Sequence, residues 1–243
     1  MDTDDPGDQG YSPDVDRDAD PHDQSLGASV PEQSYRRLFY ELRTARNTRD
    51  LVDTIRRYSW VLPLASLLLY GLTRGVFEFL TEPFAMSQGY TFTGWQIAAG
   101  INVLFGLFVS GFTWFLFFGV VGAIAGFFSD VTKLDTTMFK VGGYLSVLFV
   151  PVVVLSWFIA LTIPAPDAVV AGAEPTSEVI ETHRSVANAS QMRLIDTMLS
   201  VTWIVIGFLL LPIVSELYDI SSKQSVLSVL PVTLIAVVGT QLA

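Results

Sequence analysis

The sequence predicts an all-α membrane protein, a polytopic bundle of five transmembrane helices in which the second helix is long. Hydrophobic residues make up 51% of the 243 residues and charged residues only 16%, and the mean hydropathy of +0.47 is too high for an ordinary soluble domain. The apolar residues form five long runs from residue 59 onward. Basic residues collect before the first run and between alternate runs, which predicts an N-terminus inside the cell and a C-terminus outside.

Residues 1–31 are an acidic leader on the cytoplasmic side that we expect to be disordered. They contain nine Asp and one Arg but almost no apolar residues that a core could bury. The chain as a whole is rich in Asp, has three Lys against eleven Arg, and has no Cys. This composition is typical of proteins that stay soluble in high salt and predicts a halophilic archaeon as the source. The other reading is that the leader alone skews the composition.

Few side chains of this sequence are suited to catalysis or metal binding. Without Cys there is no disulfide, thiolate metal site or Cys nucleophile, and both histidines, His22 and His183, lie in polar segments. No HExxH, GxSxG, Walker A or GxGxxG motif is present. We therefore predict a protein that is not an enzyme, with no catalytic residue, no metal site, no cofactor and no nucleic-acid partner.

Residues 32–58 are predicted to form an Arg-rich amphipathic helix on the cytoplasmic side. Apolar residues recur at helical spacing in two groups, Leu38, Phe39, Leu42 and Ala45, then Leu51, Val52 and Ile55. Arginines occupy many of the positions between them. Such a helix can lie along an anionic lipid surface, or its arginines can serve only to orient the first span. Both readings stay open.

Five apolar runs follow, each long enough for the roughly 20 helical residues that the hydrocarbon core requires. The predicted spans are residues 59–80, 95–128, 141–163, 195–214 and 225–243. The second run would be about 50 Å long as a helix. We interpret it as one long, tilted helix rather than two short ones, because no polar turn divides it.

Glycine and proline occur within these spans, where lipid enforces helix because the backbone has no water to bond to. Every span except the second contains a proline that is expected to bend its helix or lie near its end: Pro63, Pro151, Pro212 and Pro231. Five glycines are predicted helix-packing positions, a GxxxG pair in the first span and a face of the second: Gly71, Gly75, Gly119, Gly122 and Gly126. We favour packing within the bundle over packing between copies.

Orientation follows from the distribution of Lys and Arg. The segment before the first span holds seven Arg, whereas the loop at 81–94 holds none. With the N-terminus inside, eleven basic residues lie inside and Arg184 and Arg193 lie outside. The sequon at Asn188 then lies outside as well, where it is a possible glycosylation site.

Arg74 and Glu78 are the ionisable residues within the first span, and they are four residues apart on one helix face. They form either an ion or proton site or a structural ion pair near the outer interface. We favour the structural pair, because no second span offers a carboxylate at a matching depth. Asp196 is expected to cap the fourth helix or to touch this pair, with capping favoured.

The other polar residues near the membrane are expected to have structural roles. Five are expected to make hydrogen bonds between helices: Asn102, Ser110, Thr113, Ser146 and Ser156. Glu216 and Asp219, in a short cytoplasmic loop with Lys223, are interpreted as a solvated turn or as a docking surface.

Two stretches resemble the Yip1 family of membrane proteins. "FKVGGYLSVLFVPVVVLSWF" resembles the third span of that family, with Lys140 before the Gly143–Tyr144 pair and a later Pro151. "WIVIGFLLLPIVSELYDISSKQSVLSVLPVTLI" resembles its last two spans. The matching positions there are Tyr218, Ser221, Lys223 and Pro231. The resemblance covers about residues 59–243, so the leader and the Arg-rich segment lie outside it.

The resemblance implies a five-helix integral membrane protein with a cytoplasmic N-terminus. In eukaryotes the family is linked to vesicle traffic and to Rab-type GTPases. Its Asp-Leu-Tyr-Gly-Pro motif is absent here, where the chain reads "NTRDLVDTIRRYSW", so GTPase binding is not carried over. We expect a non-enzymatic scaffold of the cell membrane that contacts the lipid bilayer and other membrane proteins or itself, possible roles being membrane organisation or trafficking. The alternative is a small-solute or ion transporter or channel component.

Overall fold

The architecture is taken from a computed structural model of the protein. It describes residues 40–41, 47–81, 85–87, 90–92, 94–130, 134–163 and 184–242, with 85–87 and 90–92 described by their backbone only. The expectations for the leader at 1–31, and for the first part of the amphipathic helix at 32–58, therefore lie largely outside the described residues.

Helices make up nearly all of the described chain. Seven of them have ten residues or more within the described ranges: α1 (Thr48–Arg57), α2 (Val61–Thr81), α3 (Trp95–Phe128), α4 (Thr137–Ser146), α5 (Phe149–Ala160), α6 (Ser190–Tyr218) and α7 (Ser222–Leu242). A single helical turn at 184–187 precedes α6. Between α2 and α3 lies a small antiparallel hairpin of β1 (Ala85–Ser87) and β2 (Tyr90–Phe92), in which Ser87 pairs with Tyr90. Among the described residues, this hairpin is the one departure from the all-α expectation.

Within the residues that the structure describes, five helical segments are long and apolar enough to cross a membrane, in agreement with the number of predicted spans. They are α2, α3, α4 together with α5, α6 and α7. The second is one unbroken helix of 34 residues, as interpreted from the sequence. Large apolar side chains cover the outside of the bundle, among them Phe108 at 68% exposure and Ile235 at 71%. Such a surface is suited to contact with lipid rather than water.

The third span is interrupted at Val147 and Leu148, shortly before Pro151. Proline has no N–H, so Pro151 cannot donate to the Val147 carbonyl one turn earlier. That carbonyl instead accepts from the Val150 N–H at 3.1 Å, and the Leu148 N–H donates to the Leu145 carbonyl at 3.0 Å. The tighter i→i−3 bonds satisfy the backbone through the break. Pro151 lies at the third residue of α5, near a helix end, which is one of the two outcomes expected for it.

Helices α2 and α3 cross at a contact made by glycines. A Cβ added to Gly75 would lie 2.5 Å from Cα of Val103, and one added to Gly71 would lie 3.0 Å from Cα of Leu107. On the facing side, a Cβ on Gly106 would collide with the Gly75 backbone. The predicted pair of the first span thus lies inside the bundle, against a third glycine that the sequence analysis did not single out.

Two adjacent glycines at the start of the third span contact two different helices. A Cβ on Gly142 would overlap the ring of Phe118 on α3, and one on Gly143 would lie 2.6 Å from Cβ of Pro63 on α2. The Gly-Gly pair therefore lets α4 approach two helices at once. This contact fixes α4 between α2 and α3.

Hydrogen bonds between helices come mainly from residues that the sequence analysis did not name. Trp157 Nε1 donates to the Thr73 carbonyl at 2.9 Å, joining α5 to α2, and Ser225 Oγ donates to the Leu211 carbonyl at 2.5 Å, joining α7 to α6. The expectation was wrong for Ser146 and Ser156, because each donates to a carbonyl of its own helix, four residues earlier. A short hydroxyl reaches that carbonyl more easily than a neighbouring helix. The expectation was also wrong for Ser110, whose buried hydroxyl has no hydrogen-bond partner in the described part of the chain.

Candidate functional site

Helix α1 is docked against one end of the bundle, which we call the α1 end. The Asn47 side chain caps the helix by accepting from the Asp50 N–H at 2.9 Å. Its apolar face buries Val52 at 3% exposure and Ile55 at 4%, where they join the core formed with the bundle helices. The structure therefore differs from the reading in which this face lies on lipid, because protein covers it.

A network of charged groups fastens α1 to the start of α4. The Arg56 guanidinium bonds to Oδ2 of Asp135 at 2.9 Å. Lys140 Nζ donates to the backbone carbonyls of Arg56 at 3.1 Å and Tyr58 at 2.7 Å, at the C-terminal end of α1. A cation is favourable there because the helix dipole is negative at that end. Lys140, identified from the family resemblance, therefore holds the end of α1.

Asp135 is the acceptor at the centre of this network. Partial burial pushes the pKa of Asp135 upward, but hydrogen bonds from Thr137 and the ion pair with Arg56 outweigh burial and hold that pKa below its ordinary value. The bond from the Thr137 N–H is 2.7 Å long. Asp135 is thus a carboxylate across the physiological pH range and joins α1 to α4.

Tyr218 extends the network to the end of α6. Its side chain is 1% exposed, and its hydroxyl oxygen accepts from the Asp135 N–H at 3.3 Å. A Cβ on Gly122 would lie 2.8 Å from that hydroxyl, so Gly122 leaves the space that the Tyr218 ring needs. On the surface, Arg49 forms a looser ion pair with Glu216 at 3.7 Å.

The connection from α6 to α7 is a tight turn with identifiable caps. Asp219 ends α6 in the left-handed region at φ 51, and its N–H donates to the Ser215 carbonyl. Ser221 begins α7 through a capping box: its N–H donates to the Gln224 side chain at 2.9 Å, and its hydroxyl accepts from the Gln224 N–H at 3.4 Å. Asp219 is exposed in this turn, whereas Glu216 lies within the last turn of α6 and not in the predicted loop.

The remaining predicted positions lie at separate places. Gly119 is in ordinary contact with the Phe139 ring, Gly126 is buried, and Tyr144 is half-buried on α4. Lys223 is exposed at the start of α7, and Pro231 lies on the exposed side of that helix without breaking it. Asn188 is exposed in the turn before α6.

A cavity of about 670 Å³ lies toward the other end of the bundle, which we call the far end. Its walls come from α2, α3, the turn at 184–187, α6 and α7, with Phe149 of α5 on the floor. Its charged and large aromatic lining residues include Tyr70, Arg74, Glu78, Phe149, Asp196 and Trp203. The volume falls in the range of roughly 300–1,000 Å³ that is usual for small-molecule sites.

Three side chains of charged residue types line this cavity. Arg74 Nε donates to Glu78 Oε1 at 3.2 Å, and the two side chains are 31% and 23% exposed. Asp196 lines the same cavity from α6. At 1.5 Å per residue, Arg74 lies about 10 Å from the C-terminal end of α2 and Asp196 about 9 Å from the N-terminal end of α6. Both of these helix ends are at the far end of the bundle.

Two expectations for these residues were wrong. The fourth helix begins at Ser190, not at 195, so Asp196 lies almost two turns inside it and is not a cap. A second span does supply a carboxylate at a depth matching Arg74 and Glu78. The polar stretch 190–194 concealed the helix start, because the span was placed by its apolar residues alone.

The two regions differ in the chemistry that they can support. At the α1 end the charges are partnered and fasten helices together, whereas the cavity combines an ion pair, a further carboxylate and aromatic walls. Within the described ranges, no group of three or more His, Cys, Asp or Glu could hold a metal ion. Comparison with protein-family models, with curated proteins and with solved structures finds no match to this chain.

Proposed function

We propose that the chain is a Yip1-type protein of the cell membrane that acts as a non-enzymatic scaffold, associating with other membrane proteins or with copies of itself. This proposal rests on the observation that α1 is fastened to the bundle at the α1 end. Arg56, Asp135, Lys140 and Tyr218 tie α1 to α4 and α6, so this end presents one fixed surface. Exposed charges on such a surface steer and orient a partner.

The contacts made by the glycines support a partner surface at the α1 end rather than along the spans. Gly71, Gly75, Gly142 and Gly143 are all occupied by contacts inside the bundle. The close approach that these four glycines permit is therefore already used within the bundle. The exposed charges at the α1 end, Glu216 among them, remain accessible to a partner.

We further propose that the α1 end faces the cytoplasm, because Lys140, Lys223 and the arginines of α1 collect there. The chain has no cysteine, so single cysteines report one position each. A membrane-impermeant maleimide should label Asn188→Cys in intact cells and Ser222→Cys only after lysis; both positions are exposed. Asn188→Cys also removes the sequon, so no glycan blocks the label. Labelling of both in intact cells would contradict this orientation.

The same two cysteines test the scaffold function. A photoactivatable maleimide is attached to the cysteine of Ser222→Cys or of Asn188→Cys in native membranes. The membranes are then irradiated, and the cross-linked adducts are identified by mass spectrometry. We expect protein adducts, either to a partner or to a second copy, from Ser222→Cys at the α1 end. Asn188→Cys at the far end is the matched control. Lipid adducts and monomer alone from both positions would refute the scaffold proposal.

A second candidate function, solute or ion transport, is favoured by the cavity. Charged side chains are costly inside a membrane, and they usually mark a solute or ion pathway where they persist. In proteoliposomes, Glu78→Gln should reduce flux, whereas Glu216→Gln at the α1 end should not. Equal flux in Glu78→Gln and the unaltered chain, or no flux at all, would exclude transport through this cavity.

A further inference from the structure

We propose that the far-end cavity binds an organic cation, an amine or quaternary ammonium compound with an apolar body of about 10 Å. The proposal does not depend on the scaffold function. It shares with the transport candidate only the cavity itself, and it holds whether or not the ligand crosses the membrane.

The charge of the cavity selects a cation. Arg74 is paired with Glu78 at 3.2 Å, whereas the Asp196 side chain has no hydrogen bond or ion pair to any residue in the described part of the chain. An ionised carboxylate in a low-dielectric site is costly unless a cation approaches it. A ligand ammonium group would provide that cation. An anion would find Arg74 already occupied and two carboxylates nearby.

Three aromatic side chains of the cavity, which we call the aromatic floor, suit the apolar body of such a ligand: Tyr70, Phe149 and Trp203. The rings of Tyr70 and Phe149 stack with centroids 4.8 Å apart, and Phe149 meets Trp203 edge to face at 4.8 Å. Aromatic faces bind apolar groups and also attract cations through their quadrupole. The aromatic floor can therefore bind both the apolar group and the charged group of an alkylated or benzylated ammonium ion.

The geometry of α6 sets the length of the ligand. Asp196, Leu199 and Trp203 all line the cavity and are spaced at i, i+3 and i+7, so they lie along one helix face. The seven residues from Asp196 to Trp203 span about 10 Å. A cation bound at the carboxylate can thus extend its apolar body along α6 to the aromatic floor.

The first experiment measures binding to the full chain in detergent by calorimetry. The probes are benzyltrimethylammonium, its neutral isostere neopentylbenzene, and benzenesulfonate. We expect the ammonium ion to bind most tightly, and Asp196→Asn to weaken its binding at least about tenfold, the loss expected for one ionic contact without a hydrogen bond. Asp219→Asn, a carboxylate outside the cavity, is the matched control and should leave binding unchanged.

A second pair of variants separates a blocked cavity from a misfolded chain. Nothing lies within 4 Å of a Cβ on Gly239 or on Gly111, so a side chain can begin at either position without a clash at its Cβ. Gly239 lines the cavity and Gly111 does not. Gly239→Leu should abolish binding of the ammonium ion, while Gly111→Leu should retain it.

Several results would overturn the proposal. They are equal affinity of the ammonium ion for the unaltered chain and Asp196→Asn, tighter binding of the sulfonate, binding of neopentylbenzene as strong as that of the cation, or no binding of any probe. Because binding is measured without a membrane gradient, its outcome is separate from that of the flux and cross-linking experiments.

Discussion

The crossing of α2 and α3 gives a sharp prediction, because it brings two backbones together at Gly75. A Cβ at this position would lie 2.5 Å from Cα of Val103 and 2.9 Å from the Asn102 carbonyl oxygen, whereas ordinary contacts are 3.4–4 Å. To restore 3.4 Å the two helices must separate by about 1 Å. Both atoms belong to the backbone, so no side-chain rotation can relieve the contact.

We therefore expect Gly75→Ala to destabilise the bundle. Gly111→Ala, on α3, is the matched control, since nothing lies within 4 Å of its Cβ. Both substitutions gain helix propensity to a similar degree, so this gain cancels between them. The remaining difference is the cost of overpacking, about 1–3 kcal/mol. That difference corresponds to a roughly 5- to 150-fold change in the ratio of folded to unfolded protein.

The free energy of unfolding can be measured by titrating the purified chain with sodium dodecyl sulfate in mixed micelles and following far-ultraviolet circular dichroism. The Gly75→Ala transition should occur at a lower detergent fraction than that of Gly111→Ala. If both variants unfold at the same point, the two helices are not held at the separation described here, and the close glycine contact does not stabilise the bundle.

Three further predictions concern contacts at other places in the bundle. The pKa of Asp135 is held below its ordinary value, so its contribution to stability is present above about pH 4 and is lost as the pH falls through the lowered pKa. At acid pH we therefore expect α1 to detach from the bundle, measured as faster proteolytic cleavage after Arg56. Asp135→Asn should remove this pH dependence of the cleavage rate. Trp157→Phe removes the 2.9 Å bond to the Thr73 carbonyl and should cost about 1 kcal/mol in the same unfolding assay; no change would show that the bond contributes nothing. Ser221→Ala should cost about 1 kcal/mol by removing the α7 cap, while Ser221→Asp should restore it, and equal stability of the two would contradict the capping role.

The number of spans could be predicted from the sequence because membrane thickness imposes a minimum length on every apolar run. Helix ends were predicted less well for a related reason. Beyond the hydrocarbon core a helix continues into polar sequence as long as its backbone bonds are satisfied. The start of α6 at Ser190 carries no side-chain cap to mark it, which is why Asp196 was assigned to a helix end.

The position of α1 could not be predicted, because an apolar stripe shows which residues are covered but not what covers them. Val52 and Ile55 would show the same periodicity on lipid as on protein. Gly207 was missed for a similar reason. It has no GxxxG partner in the sequence, yet a Cβ there would lie 2.7 Å from Thr233 Oγ1 on α7.

Helix α2 has two faces, and the difference between them connects packing to the cavity. Gly71 and Gly75 face α3, while Tyr70, Arg74 and Glu78 line the cavity at helical spacing. Gly75 follows Arg74 directly, so any change in the α2–α3 crossing also displaces the ion pair. Lipid offers no hydrophobic force that would hold membrane helices together around an unfilled space. The tight glycine contact on one face of α2 can therefore keep the charged cavity on its other face open.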